Sequence, residues 1–308
     1  MKEIRSDGLR KLIGDSFGFN LGNQKLVSNS AACDNEEPQD SSAIEIIDEA
    51  LKERAGRRLL AEEINKQKNL EDVVQRADDI LQSEDCENTQ VVLQGKTDQG
   101  WVEDCLDGAG KAYDDDLKDY WAKLLAGEIK NPGFYSKRAI QFMKSLSKKD
   151  ADKIREMCQY VVYNYENTDP LILRYKPSKY TFDQISFLME LRLVDYSHSI
   201  VRQFRFEENE GYCLFRKKSV GLYIKIQRKA YDLPVYSITE LGKEILTIID
   251  DVDINREYLK DYSKAVTENK VFLSIICGDV VEGVDSFRFT KDENYFEIPE
   301  SGNIEGGE

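Results

Sequence analysis

Residues 119–138 read DYWAKLLAGEIKNPGFYSKR, and the architecture turns on this stretch. Leu117, Tyr120, Trp121, Leu124 and Leu125 fall at three- and four-residue spacing, the period of one buried helix face. Gly127 permits close approach of another segment or a local bend. Glu128 stands near the helix C-terminus, where the helix dipole disfavours negative charge. It is therefore expected to have a cationic partner, with Arg138 and Lys137 the nearest candidates. Pro132-Gly133 predicts a turn, and Ser136 predicts an N-cap for KRAIQFMKSL. Each residue type serves a helical hairpin and none requires a substrate. The structural reading is preferred to a ligand-binding role for Glu128 with Arg138.

Working outward, Asp114, Asp115 and Asp116 precede this helix, where negative charge suits its N-terminus. They lack the D-x-D-x-D-G spacing of a calcium loop, so the capping role is preferred to a metal site. Upstream, Thr97 is expected to cap a helix carrying Trp101, Val102, Cys105 and Ala109. Further upstream, Ile44, Ile47, Leu51, Ala55 and Leu59 form one apolar stripe of a helix from 43 to about 66. A second helix, 70–81, turns Leu70, Val73, Val74, Ala77 and Ile80 inward. Bundle packing is the expected use of these faces, and a seam for a second copy is the alternative. Downstream, Ser147 and Asp150 have capping-box spacing before a helix expected to run through KKDADKIREMCQYVVYNY.

After residue 165 the pattern changes. Thr181 with Gln184 predicts a capped helix over FDQISFLMELRLV. IVRQFRF, GYCLFRKK and VGLYIKIQRK alternate as strands, and LPVYSITELGKEILTII runs from a short strand into a helix. A helix over about 256–267 and late strands in KVFLSIIC, SFRFTK and NYFEIP follow. The expected fold is α+β, an N-terminal helical bundle followed by a winged-helix-like domain with a small antiparallel sheet. The expected divisions are 1–42 (a short helix and flexible linker), 43–165 (the bundle) and 166–250 (the winged-helix-like domain). Residues 251–298 supply a C-terminal helix and strands, and 299–308 a disordered tail.

Composition narrows the chemistry. The 308 residues carry a formal net charge of −15, which repels nucleic acid and anionic membranes at long range. No apolar run spans a membrane, and no signal peptide opens the chain, so a cytoplasmic protein without membrane contact is expected. Six cysteines, at 33, 86, 105, 158, 213 and 277, form no C-x-x-C pair. The one histidine, His198, has no partner for a two-histidine metal site, and no G-x-S-x-G accompanies it. GAGKAY lacks the rest of a phosphate loop. No cofactor, metal or catalytic residue is expected. The exception to the acidic balance is 201–230, where eight cations face three acids. Arg202, Arg205, Arg216, Lys217, Lys218, Lys225, Arg228 and Lys229 could meet phosphates or an acidic partner, with Phe204, Phe206, Tyr212, Phe215 and Tyr223 between them. The helix in the recognition position offers Asp183, Gln184, Ser186 and Glu190 outward, without the Arg or Lys that commonly reads guanine.

Two phrases, ISFLMELRLVD and VYSITELGKEIL, are similar to the helix end and the closing-helix lead-in of winged helices, although Arg192 stands where glycine is usual. KQKNLEDVVQRA, QGWVEDCLDGA and LKDYWAKLLAGEIKNPGFYSKRAIQFMKSLSKKDA, with those phrases, resemble the bacterial domain-of-unknown-function family 2806 over roughly 60–250. WAKLLAGE also resembles the Abi-alpha family, whose name associates it with abortive phage infection. The resemblances imply a bacterial or phage origin and bring no catalytic residues. The function expected is a non-enzymatic protein-interaction module, a sensor, adaptor or effector of anti-phage defence. Its partner would be another protein, or a second copy through 43–81, and the alternative is a nucleic-acid-binding regulator using 201–230.

Overall fold

The computed structural model describes residues 49–83, 98–165, 168–175, 179–195, 201–208, 210–267, 272–282, 287–291 and 295–298. The readings made for 1–42, for 299–308, for His198, and for Cys33 and Cys86 lie outside them. The chain divides into two compact units, Met1–Ser145 and Leu146–Glu308.

In the first unit, α1 (Glu49–Ser83) is one helix, not the two expected. The segment between the expected helices, KQKN, contains no glycine or proline and nothing that breaks the ladder. Its one polar residue to be buried, Asn69, donates to the Gly110 carbonyl at 3.1 Å. Leu70, Val73, Val74, Ala77 and Leu81 are buried, with Ile80 half-buried. The expected inward stripe stops there: Leu51 and Leu59 are exposed, as are Leu60 and Ile64. Helix α2 (Gln99–Gly110) starts at Asp98, whose carboxylate accepts the Gly100 N–H, so the N-cap is Asp98 and not Thr97. Helix α3 (Asp115–Lys130) begins at Asp114, which accepts from the Asp116 N–H, with Asp115 and Asp116 in the first turn. Helix α4 (Lys137–Ser145) follows the Pro-Gly turn.

The second unit begins with α5 (Lys148–Cys158), where Ser147 accepts the Asp150 N–H at 3.1 Å and donates to its carboxylate at 2.7 Å. The helix ends at Cys158 rather than near 165, and the chain turns into β1 (Val161–Asn164). The β-branched run Val161-Val162 suits a strand, and helical periodicity alone did not reveal that. Strand β2 (Pro170–Leu173) follows, then α6 (Phe182–Glu190) with the expected Thr181–Gln184 capping box. Strands β3 (Val201–Arg205), β4 (Gly211–Lys217), β5 (Val220–Ile226) and β6 (Ala230–Ser237) lead into α7 (Glu240–Ile249) and α8 (Arg256–Thr267). Strands β7 (Phe272–Glu282), β8 (Phe287–Thr290) and β9 (Phe296–Ile298) close the described chain.

The sheet is larger than expected, with nine strands among the described residues, in the order β3-β6-β2-β1-β4-β5-β7-β8 and with β9 also on β7. Every pairing is antiparallel. Tyr160, Tyr175, Tyr180 and Tyr258 make edge-on or tilted ring contacts beneath it, between 5.3 and 6.5 Å. The two phrases similar to winged helices meet. Helix α6 closes with Arg192 at φ 58°, its N–H bonded to the Met189 carbonyl, and the Leu193 N–H bonded to the Leu188 carbonyl. That is the six-to-one and five-to-two pattern normally completed by glycine. Thr239 caps α7 and donates its hydroxyl to the Arg192 carbonyl at 2.6 Å. Gly242 leaves room for the Leu193 carbonyl, which a Cβ would meet at 2.2 Å.

Candidate functional site

The hairpin of 119–138 is closed from within. Asn131-Pro132-Gly133-Phe134 forms a turn, with the Phe134 N–H bonded to the Asn131 carbonyl and Gly133 at φ 87°. Glu128 is buried, and its carboxylate accepts the N–H of Gly133 at 2.7 Å and of Tyr135 at 3.2 Å. The charge expected to need Arg138 or Lys137 thus closes on the amides of the turn. Lys137 pairs with Asp98 at 3.0 Å, and Arg138 is exposed. Gly127 serves close approach: a Cβ there would meet the Tyr135 ring at 2.7 Å. The Trp101 indole donates to the Tyr135 carbonyl at 2.9 Å. Trp121 lies against Gly108, where a Cβ would come within 2.4 Å of its ring. Leu124 and Leu125 are fully buried, and the Ser136 hydroxyl accepts the Ala139 N–H at 3.3 Å. These residues fasten three helices to one turn.

The eight cations of 201–230 do not form one patch. Lys217 is buried, against expectation, with its ammonium 2.6 Å from Asp250 and also donating to the Cys158 carbonyl. Tyr163 donates to the other Asp250 oxygen at 3.2 Å. Burial pushes the Asp250 carboxyl up, against the pull of Lys217 and Tyr163, and burial beside Asp250 raises the Tyr163 phenol. Lys217 faces the core because alternation along β4 sends it to the side of Phe215 and Cys213. Arg202 pairs with Asp169 at 2.9 Å, Lys218 with Asp253 at 2.7 Å, and Lys225 with Glu210 at 3.5 Å. Arg205 bonds Gln203, and Arg228 and Lys229 are exposed. Asp169, Asp250 and Asp253 lie outside the window in which the charge was counted, which is why composition missed the pairing. Arg216 sits 5.6 Å over the Tyr165 ring, beside a depression of ≈ 350 Å³ lined by Tyr163, Asn164, Tyr165, Thr168 and Arg216.

A third surface is the first half of α1. Leu51, Leu59, Leu60 and Ile64 are 47–63% exposed, and Arg57–Glu53 and Arg58–Glu62 pair along the same half of the helix. Among the described residues no group of three or more His, Cys, Asp or Glu is placed to hold a metal, and no helix is long and apolar enough to cross a membrane. Cys105, Cys158, Cys213 and Cys277 are buried free thiols, and burial raises the thiols of Cys105, Cys158 and Cys277.

Fold and surfaces define a mixed protein, a helical unit followed by a unit built on an antiparallel sheet. The family model described as Protein of unknown function (DUF2806) matches residues 53–263, and the chain belongs to that family. Comparison with curated proteins gave no match, and comparison with solved structures gave none.

Proposed function

We propose that the chain is a non-enzymatic protein-interaction module of the cytoplasm, a sensor, adaptor or effector component in bacterial anti-phage defence. The observation that carries the interaction reading is α1. One face of its second half is buried, through Leu70, Val73, Val74, Ala77 and Leu81, while its first half exposes Leu51, Leu59, Leu60 and Ile64. A helix without tertiary packing is marginal in water, and Gly56 weakens this one further. A partner that covers these side chains would supply the missing stabilisation. That partner is another protein or a second copy of the chain. The defence role rests on the likeness of WAKLLAGE to the Abi-alpha phrase.

The second unit is best read as a winged helix whose wing has grown into a sheet. Helices α5, α6 and α7 share an apolar crevice lined by Ile154, Leu188, Leu193, Ile245 and Leu246. The helix in the recognition position presents exposed Phe182, Asp183 and Glu190, a surface suited to protein rather than to a phosphate backbone. The alternative, a regulator gripping nucleic acid through all the cations of 201–230, loses Lys217 to the core and finds Arg202 and Lys218 in ion pairs.

The test is capture on the tagged full chain from its own bacterium, before and during phage infection, with and without nuclease. A protein retained after nuclease, and reduced about tenfold or more by Leu59→Ser/Leu60→Ser/Ile64→Ser, supports the reading. Retention unchanged by the triple variant removes α1 as the contact.

A further inference from the structure

The strands β1, β4 and β5 place a second kind of chemistry on one sheet face. Register sets Leu214 opposite Tyr223, Tyr212 opposite Lys225, and Arg216 opposite both Tyr163 and Gly221. Tyr165 extends the β1 ladder, its N–H bonded to the Leu214 carbonyl at 2.9 Å. Residues two apart on a strand share a face, so Tyr165, Tyr212, Tyr223, Arg216 and Lys225 stand together above Leu214. Tyr212 and Tyr223 stack with centroids 5.4 Å apart and planes 26° apart. Tyr212 is 49% and Tyr165 42% exposed, while Leu214 beneath them is buried. The Arg216 guanidinium lies over Tyr165 at 5.6 Å.

We propose that this face binds a single-stranded nucleic acid, its bases stacking on Tyr165 and on the Tyr212–Tyr223 pair and its phosphates meeting Arg216 and Lys225. Exposed rings alternating with cations on adjacent antiparallel strands are what unpaired bases and their backbone require. A duplex keeps its bases stacked on one another and cannot use the rings. The charge is modest, since Lys225 already faces Glu210 at 3.5 Å, an open pair that a phosphate can replace. Stacking therefore supplies most of the affinity. The chain's net charge of −15 makes strong non-specific attraction to duplex unfavourable. This surface is separate from the α1 contact proposed above, and either can fail without the other.

The experiment uses the full chain and a dye-labelled mixed-sequence oligonucleotide, single-stranded and as its duplex, read by fluorescence anisotropy across a salt series. Expected is binding of the single strand in the micromolar range, with weaker binding of the duplex. Two phosphate contacts predict a slope of log affinity against log salt of about −1.4, whereas eight cations gripping a backbone would give a far steeper one. Tyr212→Leu and Tyr165→Leu, which keep an apolar cover over Leu214, should each weaken binding roughly five- to 150-fold at unchanged melting temperature. Arg228→Gln with Lys229→Gln, in the bend between β5 and β6, should leave binding of the single strand within about twofold. Absence of single-strand binding at about 100 µM and low salt overturns the proposal. Equal binding of duplex, or indifference to both tyrosine changes, also overturns it. So does a captured protein whose retention survives nuclease and is lost in Tyr212→Leu.

Discussion

The stretches 119–138 and 201–230 are the two that the sequence marks most strongly, one by phrase and one by charge. In the first, Trp121, Gly127, Pro132, Gly133 and Ser136 take the places their chemistry suggests, because the helix face, the turn and the cap are settled within a few residues of one another. In the second, Lys217 is buried and Arg202, Lys218 and Lys225 carry acidic partners. Three of those acids, Asp169, Asp250 and Asp253, come from 33 to 35 positions away in sequence. Local patterns describe what a segment can form. Whether a charge is free depends on the segments brought beside it.

Several substitutions would break or sharpen that contrast, and the largest effect is expected in the hairpin. Trp121→Ala should cost about 3–5 kcal/mol in chemical denaturation, the penalty of deleting a buried aromatic. A cooperative transition at unchanged denaturant would sink the assignment of Trp121 to the core. Lys217→Ala should cost about 3 kcal/mol, the lower part of the range for breaking a buried pair, because the stranded Asp250 can take up a proton. If Lys217 were instead a surface contact, its loss would stay within about 0.5 kcal/mol.

Smaller effects follow at the backbone. Gly133→Ala places a Cβ at φ 87° and should lower stability by about 1–2 kcal/mol. Arg192→Gly runs the same rule in reverse. Relief of the left-handed strain at φ 58° should outweigh the added freedom of the unfolded chain and stabilise by about 0.5 kcal/mol. A loss of stability there would show that the arginine side chain contributes more than its backbone costs.

An effect of similar size concerns pH. Burial works against ionisation of Asp169, but the ion pairs with Lys243 and Arg202 outweigh it and hold the carboxyl below its ordinary value. A depressed acid contributes stability that is present above the unfolded pKa and lost as pH falls through the folded one. Wild type should therefore lose up to about 1 kcal/mol more than Asp169→Asn as pH drops below about 4. Parallel stability curves for the two proteins would contradict an effective Asp169–Arg202 pair.

Much of the fold could be read directly. The start of α6 follows from the capping box at Thr181, the span of α8 is the expected one, and β3 to β5 follow from alternation to within three residues, but α6 ends at Glu190, four residues before the expected 194. The sheet's extent could not be read, because β1 was hidden in a helical-looking run and β2 spans only Pro170–Leu173. Buried on both faces, such a strand shows no alternation to detect. The exposed half of α1 was illegible for a related reason. Its stripe of Leu51, Ala55 and Leu59 has the same spacing as the buried residues further along, and spacing does not say where the core ends. Tyr212 and Tyr223 were legible as aromatics between the cations, but not as one face with Tyr165, because the three come from three strands. Only their register brings them together.

The sheet order has a consequence in time. β4 and β5 are joined through Lys218 and Ser219 and can zip early, but β2 must wait for β6, with Leu173 paired to Val235. β1 must likewise wait for β4. Loop closure over such separations is slow, whereas the first unit draws on helices and a tight turn. As the chain leaves the ribosome, the helical unit can organise while β1 and β2, paired to each other, still lack their outer neighbours. Between those moments β1 and β2 are the segments most in need of shelter from one another's counterparts on other chains.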